Sequence, residues 1–384
     1  MSISPLSAVK ILSFSALALM LAGCGEKDGS KELAVAQSAF EVKDFKKAEK
    51  FLLRSESYNH DNVDTLLMLA RVKLALGELK ASKTWVDKAL ALAEGDSDVR
   101  LLAAQVAWHS KDYKRASELF SKLANDTQAT DVVRSDAFAG LGVVEQTCNN
   151  RDLARVAFLK AIRFNRRNPA AWYHLGLLYR DAFGYMEAAL EQFNIYVRLD
   201  TEADVRVQKV QRGLIPALKE IIATAAADRP GASKRNSANC AASIAKAEAA
   251  WKKGTFKTAR LRYQEALAAD PLSYPAALGL AKAYAKTDTT KKGQQKTLEY
   301  YKLACSLRPS AVSTYITAGN VAEKLAHWAE AREIYSRAVA ANPNSREALS
   351  GLVRAMQKVN EKRSVIEAYR LYLETLPKVV TKRN

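Results

Sequence analysis

A repeat with a period of about 34 residues constrains this chain more than any other feature of its sequence. A small residue followed four positions later by a larger apolar one recurs along the chain at intervals of 34, 34, 38, 35, 70, 38, 34 and 34 residues. The pairs are Ala48/Leu52, Ser82/Val86, Ala116/Phe120, Ala154/Phe158, Ala189/Phe193, Ala259/Tyr263, Thr297/Tyr301, Ala331/Tyr335 and Val365/Tyr369. Such a period predicts an array of units, each of which buries its apolar face only by stacking on its neighbours.

Composition favours helices as the content of each unit. Alanine, leucine, lysine and glutamate dominate, whereas 16 glycines and 9 prolines are few for 384 residues. The first group consists of strong helix formers. The sharpest copy, "NPAAWYHLGLLYRDAFGYMEAALEQF", places Trp172, Leu175, Gly176 and Tyr179 in W-x2-L-G-x2-Y spacing. Later copies close with a proline, which disfavours helix at the residue before it.

These residues resemble the tetratricopeptide repeat, a helix-turn-helix unit. The resemblance implies an all-α solenoid, a right-handed superhelix with a concave face, made of about nine recognisable repeats and one degenerate segment. The spacing predicts five repeats in residues 31–200, a degenerate helical segment and linker in 201–239, four repeats in 240–377 and a basic tail in 378–384. We expect two shorter helices in the degenerate segment, with Pro216 near the start of the second.

The beginning of the chain has the layout of an exported protein. The uncharged apolar run 11–23 has thirteen residues, whereas crossing a bilayer as a helix takes about 20. The letters "LAGC" that end at Cys24 resemble the lipobox of bacterial lipoproteins. The resemblance implies a signal peptide over 1–23, acyl chains on Cys24 and a tether over 24–30. Gly25, where an aspartate would favour the inner membrane, implies a periplasm-facing outer-membrane location; an ordinary secretory signal stays open.

The sequence offers no catalytic or metal-binding constellation. It has no Gly-rich phosphate loop, no HExxH pair and no GxSxG elbow, and its four histidines lie in different repeats. Cys148, Cys240 and Cys305 form no close pair, which favours a packing role and leaves one disulfide open. We therefore expect neither an enzyme nor a metal site, no small-molecule substrate, and no cofactor apart from the covalent lipid on Cys24.

The chain is strongly basic, with 59 Lys and Arg against 41 Asp and Glu and a net charge of +18. A charge of this size favours association with anionic partners. Nucleic acid is not expected, because an exported protein meets little of it and the basic residues are not clustered with base-stacking aromatics. Acidic protein segments, lipid headgroups and anionic cell-wall polymers remain.

Tetratricopeptide proteins hold extended peptides or partner helices on the concave face formed by the first helix of each repeat. When the signature tryptophan is counted as position four, position thirteen is lysine in all four C-terminal repeats, and position nine is Glu248, Lys282, Asn320 and Arg354. The predicted partner-binding groove consists of Trp251, Lys252, Lys282, Lys286, Asn320, Lys324, Arg354 and Lys358. Lysine near a helix end also stabilises the helix dipole, so a purely structural role stays open.

Together these features predict a membrane-anchored periplasmic lipoprotein that acts as an interaction scaffold or assembly factor in the bacterial cell envelope. Secretin, pilus and outer-membrane protein assembly are settings that the resemblance to such lipoproteins suggests. The predicted partner is a protein or peptide, and an acidic one fits the lysines. The alternative is binding of anionic polysaccharide or peptidoglycan in cell-wall organisation or polymer export.

Overall fold

The computed structural model describes residues 28–199, 205–229 and 235–377. Over these residues the chain forms helices and no strand, which confirms the all-α solenoid predicted from the repeat. Helices that follow each other in sequence pack in pairs. We call the first helix of each pair the A helix and the second the B helix. The predicted signal peptide, Cys24 and the basic tail lie outside the described residues.

The first compact unit ends at His174. Its described helices are α1 Ser30–Glu41, α2 Phe45–Tyr58, α3 Val63–Ala75, α4 Leu79–Leu92, α5 Ser97–His109, α6 Tyr113–Ala124, α7 Asp131–Thr147 and α8 Arg151–Phe164. Helix α9, Pro169–Leu178, crosses the boundary between the units. The predicted block 31–200 was drawn by counting repeats and not by packing, so it stays a prediction.

The second compact unit begins at Leu175. Its described helices are α10 Met186–Leu199, α11 Val205–Lys209, α12 Ile215–Ala227, α13 Ser237–Lys252, α14 Phe256–Ala269, α15 Tyr274–Thr287, α16 Lys291–Leu307, α17 Val312–Lys324, α18 Trp328–Ala341, α19 Arg346–Lys358 and α20 Arg363–Thr375. Wider π-helical turns lie at Tyr179–Phe183 and Val210–Leu214. Pro216 is the second residue of α12, as predicted, but α11 runs into α12 through a π turn without a break.

The small and large residues of the sequence pairs form the core. All nine pairs are buried on both members. Tyr335 of α18 shows how a pair joins two repeats: a Cβ on Gly319 of α17 would come within 2.5 Å of the Tyr335 ring, and one on Gly351 of α19 within 2.4 Å. The ring therefore occupies the space that two glycines leave between its own A helix and the next one.

The turn from A helix to B helix has a common backbone conformation. In most described repeats one residue of this turn has a positive φ, between 55° and 80°. These residues are Lys43, Gly77, Lys111, Asn149, Gly184, Gly254, Ala326 and Asn360. The left-handed conformation lets the chain reverse within a few residues. Because the repeats of a unit stack in a common orientation, their A-to-B turns lie on one edge of that unit.

One contact in the second unit joins residues that are far apart in sequence. The Tyr185 hydroxyl lies 3.1 Å from Ser336 Oγ and 3.3 Å from Glu333 Oε1, and the Arg337 guanidinium lies 5.0 Å from the centroid of the Tyr185 ring. Tyr185 itself is buried. The loop before α10 is thus fixed to the B helix α18, in addition to the packing between neighbours.

Replacement of Gly351 by alanine tests the fit of the Tyr335 ring. We expect Gly351→Ala to lower the free energy of unfolding by about 1–3 kcal/mol, because the new methyl group would overlap the ring and outweigh the better helix propensity of alanine. Thermal unfolding followed by circular dichroism measures the loss. Gly213→Ala is the control, since no atom lies within 4 Å of its added Cβ; equal behaviour of the two variants would contradict the packing described.

Candidate partner-binding surfaces

The predicted groove residues lie at equivalent places on the A helices of the last four repeats. Lys282 lies about one turn before the end of α15, and Arg354 occupies the same place in α19. The lysines at position thirteen come later still: Lys252, Lys324 and Lys358 are the last residues of their helices, and Lys286 is the last but one. Position thirteen therefore lies at the helix ends, next to the A-to-B turns.

Four of the predicted groove lysines are free to meet a partner. Lys252, Lys282, Lys286 and Lys324 are exposed, and among the described residues none of them takes part in a hydrogen bond or an ion pair. An exposed ammonium group without a counter-ion attracts anions at little desolvation cost. The strongest unpaired positive charge of the A helices thus lies on α13, α15 and α17.

The other polar groove residues already have partners within the unit. The Arg354 guanidinium Nη2 lies 3.1 Å from Glu323 Oε1, and Asn320 Oδ1 accepts a hydrogen bond of 2.7 Å from the Tyr335 hydroxyl. The Lys358 ammonium lies 5.7 Å from the ring centroid of Trp328. A partner would have to compete with these contacts. The residues of α19 are therefore weaker candidates for partner binding than the free lysines of α13, α15 and α17.

Trp251 is mainly a packing residue. Its ring meets Phe256 edge to face, with centroids 4.9 Å apart, and it packs against the buried cluster that contains Ala259 and Tyr263. The ring is half-buried, so only its outer part is available to a ligand. Its role in partner binding stays a prediction.

The A helices of the N-terminal unit carry a different charge pattern, which the sequence analysis missed. Asp64, Asp98 and Asp136 occupy position two of three successive repeats. Burial raises the pKa of Asp136 to about 6, helped by the charge of Asp98 and opposed by the hydrogen bond from the Asn168 amide at 2.9 Å. Burial likewise lowers the pKa of the nearby Arg71. The sequence signal for these three aspartates is their recurrence at position two of successive repeats.

Two histidines and two cysteines, which are residue types common in catalytic and metal sites, pack against other side chains or are buried. The His174 ring stacks on Phe158 at a centroid distance of 5.9 Å, and burial lowers the pKa of His109, whose ring lies against Trp108. Cys240 and Cys305 are buried free thiols, and burial raises the pKa of Cys305 to about 12. Across the described parts of the chain, no three His, Cys, Asp or Glu side chains are grouped so as to hold a metal ion.

Within residues 28–199, 205–229 and 235–377, no helix is both long and apolar enough to cross a bilayer. The apolar run 11–23 lies outside these residues.

Replacement of Asp136 by asparagine tests its raised pKa. When the pKa of an acid is higher in the folded state than in the unfolded state, ionisation of that acid destabilises the folded state. The destabilisation begins as the pH rises above the pKa of the unfolded state and is complete above the pKa of the folded state. We therefore expect Asp136→Asn to raise the free energy of unfolding by about 1–3 kcal/mol at pH values well above 6, and to change it little at low pH. Thermal unfolding at both pH values measures this, with the exposed Asp61→Asn as control; a gain at low pH alone would contradict the burial argument.

Comparison with known proteins supports the resemblance to the tetratricopeptide repeat. The sequence model of the tetratricopeptide repeat family matches residues 67–130, 244–292 and 316–378. Among solved structures, PilF of Pseudomonas aeruginosa is 17% identical, covers 54% of this chain and 95% of its own, and has a TM-score of 0.41. PilW, described as a widely conserved type IV pilus biogenesis factor, is 15% identical over 53% of this chain and 94% of its own (TM-score 0.43). A thermophilic TPR protein of Thermus thermophilus is 14% identical over 50% and 99% (TM-score 0.43). No curated protein matches the chain.

Proposed function

We propose that this chain, parts of which match the tetratricopeptide repeat, is an interaction scaffold that holds an acidic protein segment on the A helices of its last four repeats. The observation that carries the proposal is the exposure of Lys282, Lys286 and Lys324 without any ion-pair partner among the described residues. These three unpaired ammonium groups lie on two adjacent A helices, two on α15 and one on α17, and they offer anion sites on both helices without any catalytic step.

The charge of the second unit supports an acidic partner. Residues 175–384 contain 34 of the 59 basic residues but only 20 of the 41 acidic ones. A surplus of this kind accelerates the encounter with an acidic segment and disfavours basic competitors. The N-terminal unit, whose A helices carry Asp64, Asp98 and Asp136, lacks this surplus.

The spacing of the helices limits what the partner segment looks like. Packed helices lie about 8–10 Å apart, and an extended chain advances about 3.3 Å per residue. Carboxylates about three residues apart would therefore meet lysines on successive A helices. Ile244, Leu278 and Ile316, at position five of the same helices, are half-buried and provide apolar surface for the side chains between the carboxylates.

Membrane attachment through Cys24 is the second part of the proposal. It is supported by the "LAGC" sequence and by an apolar run of thirteen residues that is too short to span. An acylated Cys24 would hold the repeats at the periplasmic face of the outer membrane, where the scaffold would serve the assembly of an envelope structure such as a secretin, a pilus or an outer-membrane protein.

Capture of the partner tests the groove. Native envelopes are crosslinked and the wild type is compared with Lys282/Lys286/Lys324→Glu and with the control Lys50/Lys83/Lys122→Glu, which carries the same charge change on exposed lysines of α2, α4 and α6. We expect a discrete protein to be captured by the wild type and the control and lost from the groove variant, because reversed charges repel its carboxylates. Helical content and abundance are checked for all three.

The other outcomes of the capture experiment have defined meanings. If the groove variant captures the same proteins as the wild type, the row of lysines is only the ordinary surface of such repeats and the proposal fails. If only cell-wall polymer is recovered, and its recovery falls steeply with salt, the polysaccharide alternative replaces the protein partner.

Fatty-acid labelling tests the anchor. We expect the wild type to incorporate labelled palmitate and to sediment with membranes, and Cys24→Ala to do neither, because the acyl chains supply the binding energy, about 0.8 kcal/mol per buried methylene. Gel analysis of labelled cells and fractionation measure both. If the wild type sediments with membranes but does not incorporate the labelled palmitate, acylation is contradicted. A Cys148→Ala variant, which lacks a different thiol, is the control and should behave like the wild type.

A further inference from the structure

The edge of the last four repeats that carries the A-to-B turns is lined with basic residues that the groove does not use. We define the basic edge as Lys253, Lys257, Lys291, Lys292, Lys362 and Arg363, all of which are exposed. Lys253 directly follows α13, Lys257 is the second residue of α14, and Lys291 and Lys292 open α16. Lys362 precedes α20, and Arg363 is its first residue. The turns that carry these residues lie on one side because the repeats stack in a common orientation.

Helix stability accounts for Lys253, which follows the end of α13, but not for the other five residues, which lie at the starts of B helices. The N-terminus of a helix carries the positive end of its dipole, so a cation in the first turn is unfavourable and an acid favourable. Yet α14, α16 and α20 have no acidic residue in their first turns. Lysines at the ends of A helices are explained by the dipole, whereas lysines at the starts of B helices oppose it. The helix dipole therefore does not explain these lysines.

Most of the charge of the basic edge is not neutralised within the unit. Two of the carboxylates near the same turns have cationic partners of their own: Glu361 pairs with Arg332 at 2.8 Å, and Glu330 pairs with Lys302. The Asp288 carboxylate accepts a hydrogen bond of 2.6 Å from the Thr290 hydroxyl, and its negative charge acts on Lys292 without forming an ion pair. In contrast, no basic-edge residue makes a hydrogen bond or an ion pair through its side chain within the described residues. Six cations therefore face solvent together.

The basic edge offers few anchors for a protein interface. Among the described residues of this unit, the exposed large apolar residues are Val205, Ile221, Leu261 and Leu371, and none of them lies in an A-to-B turn. Phe256 and Trp328, at the starts of α14 and α18, are half-buried. Protein interfaces depend on a few buried aromatic or apolar anchors. Adsorption to anionic lipid headgroups needs none, since each Lys or Arg near the surface contributes about 1 kcal/mol. Fluid headgroups also adapt to cations that are unevenly spaced from turn to turn.

We infer that the basic edge binds an anionic lipid surface and lays the last four repeats edge-on against it. This binding does not depend on acylation of Cys24 or on the groove lysines, because the basic edge is formed by other residues. With one acyl anchor at the start of the chain, it would supply a second, charge-based contact far along the sequence, and two such signals hold a protein on a membrane much longer than one.

The N-terminal unit provides a matched contrast at the same helix positions. Lys46 and Lys47 of α2, Lys80 of α4 and Lys114 of α6 lie in the first turns of B helices and are exposed. Here, however, exposed acids stand beside them in the same turns, namely Glu41, Asp44, Glu78 and Asp112, of which Glu78 already pairs with Lys73 at 2.7 Å. The two edges thus differ in charge balance and not in the number of lysines.

Vesicle flotation tests the inference. The protein used is the predicted mature chain, residues 24–384 with Cys24→Ser, so that neither acyl chains nor the apolar run reaches the lipid. Vesicles of phosphatidylethanolamine with phosphatidylglycerol are compared with vesicles of phosphatidylcholine alone. We expect binding to the anionic vesicles only, weakening with salt, and a loss of roughly 100-fold or more in Lys253/Lys257/Lys291/Lys292→Glu. Helical content should be kept, since glutamate suits the first turns of α14 and α16, where three of the four substituted lysines lie.

Three comparisons decide the outcome. The control Lys46/Lys47/Lys80/Lys114→Glu should float like the wild type; an equal loss in both variants would mean that net charge alone acts, and would overturn the inference. Flotation of Lys282/Lys286/Lys324→Glu should persist, which separates this surface from the groove. Failure of the wild type to bind anionic vesicles, or binding only to a soluble polyanion such as polyphosphate, would also overturn it.

Discussion

The structure depends on the insertion of one large side chain per repeat between two A helices. Tyr335 shows the geometry, because glycines on both neighbouring A helices leave room for its ring. No repeat can bury such a ring alone, so the stacking of repeats and the burial of the core are the same event. The positions of the exposed lysines follow from it, since the stacking sets the orientation of every helix and every turn.

The sequence predicts this architecture well because the packing constraint acts once per repeat and leaves a periodic record. The residues that alternate between small and large, such as Ala331 and Tyr335, are those that end fully buried. Helix starts are local as well: the Ser345 hydroxyl accepts a hydrogen bond from the Ala348 amide at 3.2 Å. Both signals can be read without knowledge of the distant parts of the chain.

The candidate site was less predictable, for physical reasons that particular residues show. Register places Arg354 on the A-helix face, but only the structure shows that Glu323, on the preceding A helix, neutralises it. The burial that shifts the pKa of Asp136 depends on how closely three repeats pack. The contact of Tyr185 with Ser336 joins residues that no periodicity relates. The exposed lysines without partners were easier to predict, because no contact with a distant residue changes the position that the repeat register gives them.

The contact between Tyr185 and α18 has a consequence for how the second unit comes apart. A linear array in which each repeat touches only its neighbours frays from its free end, one repeat after another, like a stack losing its top members. Here Tyr185, in the loop before α10, is held by Ser336 and Glu333 of a much later repeat. The same contact therefore joins the two ends of the segment that runs from Tyr185 to α18. Unfolding of the last repeats would therefore remove the contacts of Tyr185 as well. The repeats between Tyr185 and α18 are then expected to unfold together and not one by one from the free end.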